Sequence, residues 1–210
     1  MPSESPDTDA LLAQAAEGVP RAKDELLRRF RDRLKRMIAV RMDHRLRKRV
    51  DPSDVVQETL ILASRRLEEY LRDQPIPFYP WLRQLAWDQL VALQRKHLYA
   101  ARRSRRREED LVPALSDESV AGLASCVLDN AADPLRKLVR SELATRVRQA
   151  VERLPNAYRE VLVLRHLEQL STTETAEILG IGKSAVKMRH LRALERLKGL
   201  LDAPGWENAE

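Results

Sequence analysis

Basic side chains recur at helical spacing near the C-terminal end of the chain. Their type and spacing give the clearest indication of a ligand in the sequence. The basic set comprises Lys187, Arg189, Arg192 and Arg196, and the apolar residues Val186, Leu194 and Leu197 occupy the other face of the same segment. Lysine and arginine neutralise phosphates and bind guanine edges in the major groove. This face therefore indicates duplex DNA as a ligand.

Two helices joined by a tight turn must position this face. Ser171 and Glu174 have the spacing of a capping box and predict the start of a short helix. Gly180-Ile181-Gly182 predicts the turn, with Ile181 as its apolar plug, and Ser184 opens the longer basic helix. The pattern is that of a helix-turn-helix whose second helix enters the major groove. An ordinary helical hairpin with a solvated basic face is the alternative.

Position along the second helix separates two kinds of expected DNA contact. Residues near its start can reach base edges, whereas residues at its flanks and on the first helix touch phosphates, which position without specifying sequence. The base-edge candidates are Lys183, Ser184, Lys187, Met188, Arg189 and Arg192, and the phosphate candidates are Thr172, Thr173 and Arg196.

Composition suits a helical protein with a polyanionic partner. The chain has 210 residues, a formal net charge of +6 and only 6 glycines, which favours helices, although charge alone fits a merely soluble basic protein equally well. Cys126 is the only cysteine, so neither an internal disulfide nor a cysteine zinc site is expected. The polar N-terminus and the lack of an apolar run of ~20 residues predict a cytoplasmic protein without membrane insertion.

The apolar periodicity predicts an all-α fold of two small helical domains joined by a flexible linker. We place the first domain at 7–100, the linker at 101–134 and the second domain at 135–202. Helices are expected from near Thr8, over Arg21–Met42, from an Asp51 cap to about Leu71, over Trp81–Tyr99, over Leu135–Leu154 and over Ala157–His166. Residues His44–Val50 form a basic connector, Asp73–Pro80 a loop, and Arg102–Arg107 a basic run that is either a DNA or polymerase contact or simply solvated.

Two stretches of the chain resemble one family. Leu154-Pro155, Tyr158 to Leu162, Leu170-Ser171, Ala176 to Ile181 and Val186 to Arg189 resemble region 4 of sigma-70 factors. Asp51, Asp54 to Thr59, Phe78, Trp81-Leu82 and Ala86 resemble region 2. Their order, with only a linker between them, is similar to that of the extracytoplasmic-function (ECF) type. The resemblance implies a sigma factor that binds core RNA polymerase, reads promoter DNA and opens it.

The resemblance also implies two contacts with RNA polymerase, one through a helix of region 2 and one through region 4. The helix after Asp51 would dock on the β′ clamp helices, and region 4 would meet the β flap. The docking candidates are Asp54, Val55, Gln57, Glu58 and Leu62, with core packing as the alternative for Val55 and Leu62. An anti-sigma factor is a further possible partner.

The resemblance places the opened downstream element near the proline-containing segment. Aromatic rings can stack on unpaired bases, and nearby basic residues can hold phosphates. The candidates are Tyr70, Phe78, Tyr79, Trp81, Arg83, Trp87, Arg95 and Lys96. We favour Tyr79 for base contact and interpret Trp81 as structural. Trp87-Asp88 departs from the family's usual Arg-Asn, and core packing is the favoured interpretation of Trp87.

Three other classes of protein compete with this interpretation. A free-standing helix-turn-helix regulator explains the C-terminal half alone, and an interaction protein without promoter activity would explain the Trp87-Asp88 departure. An enzyme is not expected, because the sequence has no nucleotide-binding glycine loop, no metal-ligand spacing and no catalytic triad pattern. No cofactor is expected. The four histidines, His44, His97, His166 and His190, are scattered.

Overall fold

The computed structural model describes residues 6–96, 123 and 146–202. They divide into two compact units, within Met1–Pro113 and Ala114–Glu210. All regular elements among these residues are helical, which confirms the predicted all-α class. The arginine run, the linker apart from the buried residue Leu123, and the predicted helix ends at 97–99 and 135–145 lie outside the described residues.

Between residues 6 and 96, the N-terminal unit has five helices. They are α1 (Pro6–Ala16), α2 (Pro20–Arg41), α3 (His44–Arg47), α4 (Pro52–Asp73) and α5 (Phe78–Gln94). Helices α2, α4 and α5 pack on one another, and α1 lies mainly against α2. Their shared core is made of fully buried apolar side chains that recur every three or four residues, among them Leu26, Leu34, Met37, Ile38, Val56, Leu67, Leu82 and Leu90.

Short local signals start and stop these helices. Asp51 caps α4 by accepting a 2.6 Å hydrogen bond from the Ser53 amide, and this bond lowers the pKa of the Asp51 carboxyl. Gln74, with φ at 36°, ends the same helix in the left-handed region. The predicted cap at Asp51 and the first helical position of Pro52 are thus confirmed.

Two predicted boundaries were wrong. The basic connector after Asp43 contains α3, because the Asp43 carboxylate accepts a 2.7 Å hydrogen bond from the Arg45 amide and caps a short turn. Helix α5 begins at Phe78 and not at Trp81. Pro80 is tolerated in the first turn, where amide groups have no partner within the helix.

The C-terminal unit is built around the turn between its last two helices. It comprises α6 (described over 146–153), α7 (Asn156–Leu162), a π-helical turn (Val163–Leu167), α8 (Thr172–Leu179) and α9 (Lys183–Asp202). The side chain of Arg159 in α7 donates to the carbonyls of Val151, Glu152 and Leu154. These bonds satisfy the free carbonyls at the end of α6 and fix the angle between α6 and α7.

Candidate nucleic-acid interface

The predicted helix-turn-helix is present, and hydrogen bonds fix α8 both at its start and at the turn. The Glu174 amide donates to Ser171 Oγ at 3.1 Å, and the Ser171 amide donates to the Glu174 carboxylate at 2.8 Å, which completes the capping box of α8. Gly180 adopts a φ of 63°, and the Ile181 amide donates to the Ala176 carbonyl at 3.0 Å. The glycine thus ends α8 and lets α9 leave at a fixed angle.

Helix α9 presents its predicted DNA contacts on the surface. Val186, Ala193 and Leu197 are buried against the rest of the unit. The predicted contact residues on the outer surface of α9 are Lys183, Ser184, Lys187, Met188, Arg192 and Arg196, all exposed, whereas Arg189, Thr172 and Thr173 are half-buried. The structure therefore brings all nine predicted residues to the helix-turn-helix motif.

A histidine pair connects α9 to the π-helical turn. The Nε2 atoms of His166 and His190 lie 2.8 Å apart, and their rings stack with centroids separated by 5.0 Å. Burial, followed by the charges of His190 and Arg165, lowers the pKa of His166. Burial and Arg165 also lower the pKa of His190. Both rings are half-buried, and the sequence analysis named the two histidines without predicting their pairing, because only the fold joins positions 24 residues apart.

The aromatic residues around the proline segment form a packed cluster. Tyr79 is 1% exposed, stacks on Phe30 with ring centroids 5.7 Å apart, and lies 3.8 Å below the Arg33 guanidinium. The Tyr70 hydroxyl donates to the Ile76 carbonyl at 2.9 Å. The expected presentation of aromatic faces by Tyr70, Phe78 and Tyr79 was therefore wrong for this conformation, because all three rings are buried in the core.

The outer face of α5 carries the remaining downstream candidates. Trp81 is half-buried, and Arg95 and Lys96 are exposed at the end of the helix. Trp81, rather than Tyr79, therefore offers an accessible ring in this region. The outer face also includes exposed Gln84 and Asp88, which the sequence-based candidates did not include. Their positions three and seven residues after Trp81 place all three on one side of the helix.

Two further downstream candidates are drawn into the packing of the N-terminal unit. Arg83 is 8% exposed, so its guanidinium is not available on the outer face of α5. Trp87 is half-buried and lies under the Arg41 guanidinium, 5.7 Å from the ring centroid. This placement agrees with the favoured packing interpretation of Trp87.

The outer face of α4 borders a shallow groove of about 420 Å³, which is lined by acidic and apolar side chains and by the basic side chain of Arg49. Asp54, Gln57 and Glu58 are exposed along it, as predicted for a docking surface. Val55 is only 1% exposed, so its side chain packs the core, which was the alternative to docking for this residue. Leu62 is half-buried. The apolar residue at the centre of the face is Ile61, 45% exposed, and its spacing of three and four residues from Glu58 and Gln57 could have identified it.

The part of the chain that the structure describes has no cluster of three or more histidine, cysteine or acidic side chains able to hold a metal ion. Within the same ranges, no helix combines the length and apolar character needed to cross a membrane.

The fold and the helix-turn-helix define a two-unit, all-helical DNA-binding protein. The family profile described as "Sigma-70, region 4" matches residues 144–197, which contain this motif. The chain is 33% identical to the RNA polymerase sigma factor CnrH of Cupriavidus metallidurans, over 94% of this chain and 96% of CnrH. It is 30% identical to the RNA polymerase sigma-H factor of Pseudomonas aeruginosa, over 89% and 90% of the two chains.

Two further comparisons agree with these. The ECF RNA polymerase sigma factor SigD of Mycobacterium tuberculosis is 29% identical over 94% of this chain and 85% of SigD. The structure of CnrH in complex with the cytosolic domain of CnrY superposes with a TM-score of 0.52 at 27% identity, covering 95% of this chain and 99% of CnrH. The chain belongs to the ECF sigma factors of the sigma-70 family. It is therefore a transcription initiation factor for RNA polymerase and not a free-standing regulator. Sigma factors regulate the polymerase without being catalysts themselves.

Proposed function

We propose that three surfaces of this sigma factor carry out the three physical steps of initiation. Helix α9 reads the upstream duplex element, the outer face of α5 meets the opened downstream strand, and the outer face of α4 docks on the polymerase. The observation that carries the proposal is the exposed basic face of α9, which the capping box and the glycine turn hold on a compact unit.

Charge and exposure support the upstream assignment. Lys187 and Arg192 are exposed in the first half of α9, where side chains reach the floor and walls of a major groove. The half-buried Thr172 and Thr173 begin α8, and their hydroxyls and amides suit phosphate contacts at a helix start. We assign contact with the major groove to the first three turns of α9, through Arg192, and phosphate contact outside the groove to α8 and Arg196.

The downstream assignment rests on α5. Trp81 offers a partly accessible ring at the start of this helix, and Arg95 and Lys96 offer charge at its end. A strand laid along this face would stack on the ring and keep its phosphates near the basic end. Tyr70, Phe78 and Tyr79 support the helix from below by packing against Phe30 and Trp81.

The docking assignment rests on the mixed chemistry of α4. The exposed carboxylates of Asp54 and Glu58 flank an apolar centre at Ile61. Such a face suits a basic and apolar coiled-coil surface, for which charge steers the encounter and burial of the apolar residue slows dissociation. The β′ clamp helices are the proposed partner, and a cytoplasmic location follows from that partner.

The direct experiment is transcription with core RNA polymerase, the purified protein and a library of genomic promoter fragments, followed by mapping of transcript starts. We expect new starts that share two spaced upstream motifs. Lys187→Ala and Arg192→Ala should weaken the use of the upstream motif and leave core binding unchanged. Absence of both new starts and core association would overturn the proposal.

We also propose an anti-sigma partner for this chain. The structure of CnrH was solved with the cytosolic domain of CnrY bound, and that protein is similar to this chain along nearly its whole length. Affinity purification of the chain from its own cells, with and without added core polymerase, tests this. A protein that copurifies and is displaced by the core enzyme supports the proposal, and recovery of polymerase subunits alone contradicts it.

A further inference from the structure

Two large apolar side chains are exposed on α9, the second helix of the helix-turn-helix. Met188 and Leu191 are each 49% exposed, more than any other large apolar residue in the parts of the chain that the structure describes. They are three residues apart on α9 and therefore adjacent on its surface. Exposed apolar side chains on an otherwise basic helix call for a ligand that is apolar at that point and anionic around it.

Helical geometry places this pair at the centre of the outer face. Val186, Ala193 and Leu197 are buried and define the inward direction of α9. At ~100° per residue, Met188 and Leu191 point within about 40° of the opposite direction. Lys187 and Arg192 lie about 60–80° to either side by the same geometry. In the second and third turns the face therefore has an apolar centre with one cation on each side, and the exposed Ser184 and Glu195 continue the same face toward the two ends of the helix.

The major groove of DNA has the complementary arrangement. Its floor presents one apolar group, the C5 methyl of thymine, and its walls are lined by phosphates. A helix that enters the groove directs its outermost residues to the floor and its lateral residues to the walls. Met188 and Leu191 match the floor, and Lys187 and Arg192 match the walls. The two flanking cations favour a ligand that is anionic on both sides of the apolar pair, as the groove of DNA is.

We propose that Met188 and Leu191 contact thymine methyl groups in the upstream element and thereby select A·T pairs at those positions. This inference rests on the proposed function, in which α9 reads the upstream element, and it adds which base pairs the helix selects. Burial of one methyl group corresponds to about a fourfold change in affinity, from ~0.8 kcal/mol per buried CH₂.

The test uses a promoter identified by the start mapping described above. Each thymine of its upstream motif is replaced in turn by deoxyuridine, which lacks only the C5 methyl, and binding of the holoenzyme is measured by titration. We expect about a fourfold loss at one or two thymines. Met188→Ala and Leu191→Ala should bind the thymine and uracil duplexes equally, whereas the control Lys187→Ala should weaken both duplexes and keep their ratio.

Two results would overturn the inference while leaving the proposed function standing. One is an upstream motif without thymine, and the other is a holoenzyme that binds thymine and uracil duplexes equally. If mapping yields no upstream motif, the proposed function fails, and the inference fails with it. Since both apolar residues are exposed, their alanine variants are expected to fold, which a thermal melt checks.

Discussion

The Nε2 atoms of His166 and His190 lie 2.8 Å apart, and the hydrogen bond between them fastens the recognition helix to the π-helical turn that precedes the helix-turn-helix. One ring must donate and the other accept, so the bond exists only while at least one ring is neutral. Arg165 is the neighbouring charge that acts on both rings. Protonation of both rings would therefore remove this bond between α9 and the π-helical turn.

Acidification should loosen this part of the protein. Burial, together with nearby positive charge, lowers the pKa of both histidines in the folded state, so the unfolded state binds more protons as the pH falls from about 6.5. The pair's contribution to stability is therefore present above this pH and is lost below it. Thermal melts of the full chain at pH 7.5 and pH 5.5 should show a decrease in Tm at the lower pH.

His190→Leu provides the matched control for this prediction. It keeps an apolar side chain on α9 and removes the coupled titration, so the decrease in Tm on acidification should be smaller than in the wild type. At pH 7.5 the variant should lose about 1 kcal/mol through the missing hydrogen bond. An unchanged difference in Tm between the two pH values would contradict the role of the pair.

Tyr79 and Trp81 should respond differently to truncation. Tyr79→Ala removes a ring that is 1% exposed and should destabilise the N-terminal unit by about 3–5 kcal/mol, as loss of a large core aromatic does. Trp81→Ala removes a half-buried ring and should impair promoter opening more than stability. Denaturant unfolding and permanganate footprinting of opened DNA measure the two effects. A stable Tyr79→Ala protein with defective opening would reverse these assignments.

Asp88 places a negative charge on the outer face of α5, where the downstream strand is proposed to lie. Asp88→Asn should increase the yield of open complexes by about fivefold, since repulsion of two charges at ~4 Å in water amounts to ~1 kcal/mol. Because such repulsion is screened, the gain should shrink as salt is added. Asp32→Asn removes an exposed carboxylate from α2 instead and should change nothing. Equal behaviour of the two variants would argue against a strand on this face.

Ile61 should be central to polymerase docking. Ile61→Asp puts a charge at the apolar centre of the α4 face, and affinity for the core enzyme should fall by at least tenfold, as expected when an apolar anchor is lost. Val19→Asp introduces the same change at a residue that is 39% exposed and lies at the start of α2, where aspartate is a favourable cap. Equilibrium binding to fluorescent core enzyme compares them. Equal affinities for both variants would contradict docking through α4.

The sequence predicted most of what short-range chemistry decides. The Asp51 cap, the Ser171–Glu174 capping box and the Gly180 turn all follow from hydrogen bonds within four residues, and all are present. Apolar periodicity correctly placed the core of α2, whose regularly spaced Leu26, Leu34 and Ile38 are all buried. The capping box and the Gly180 turn belong to the same unit as α9, so the exposure of the upstream candidates was predictable as well.

The failures have a common physical origin in long-range packing. Tyr79 was expected at the surface because aromatic rings near a proline loop suit base stacking. Its ring instead stacks on Phe30 of α2 in the core. Val55 was a docking candidate but is buried, and Ile61 was not a candidate but is exposed, because the packing of α2 and α5 decides which face of α4 is inside. His166 contacts His190, which is 24 residues away in the sequence. No local sequence pattern predicts such a pairing.

Upstream reading by α9 is tested most directly by run-off transcription from a mapped promoter. The reaction contains core polymerase and either wild-type protein or Lys187→Ala. Lys198→Ala is the control, because it removes an exposed lysine from the same helix, about 16 Å further along at 1.5 Å per residue. We predict starts that depend on the chain, about a tenfold loss with Lys187→Ala and near wild-type output with Lys198→Ala. Chain-dependent starts that both variants support equally would contradict upstream reading by the first turns of α9.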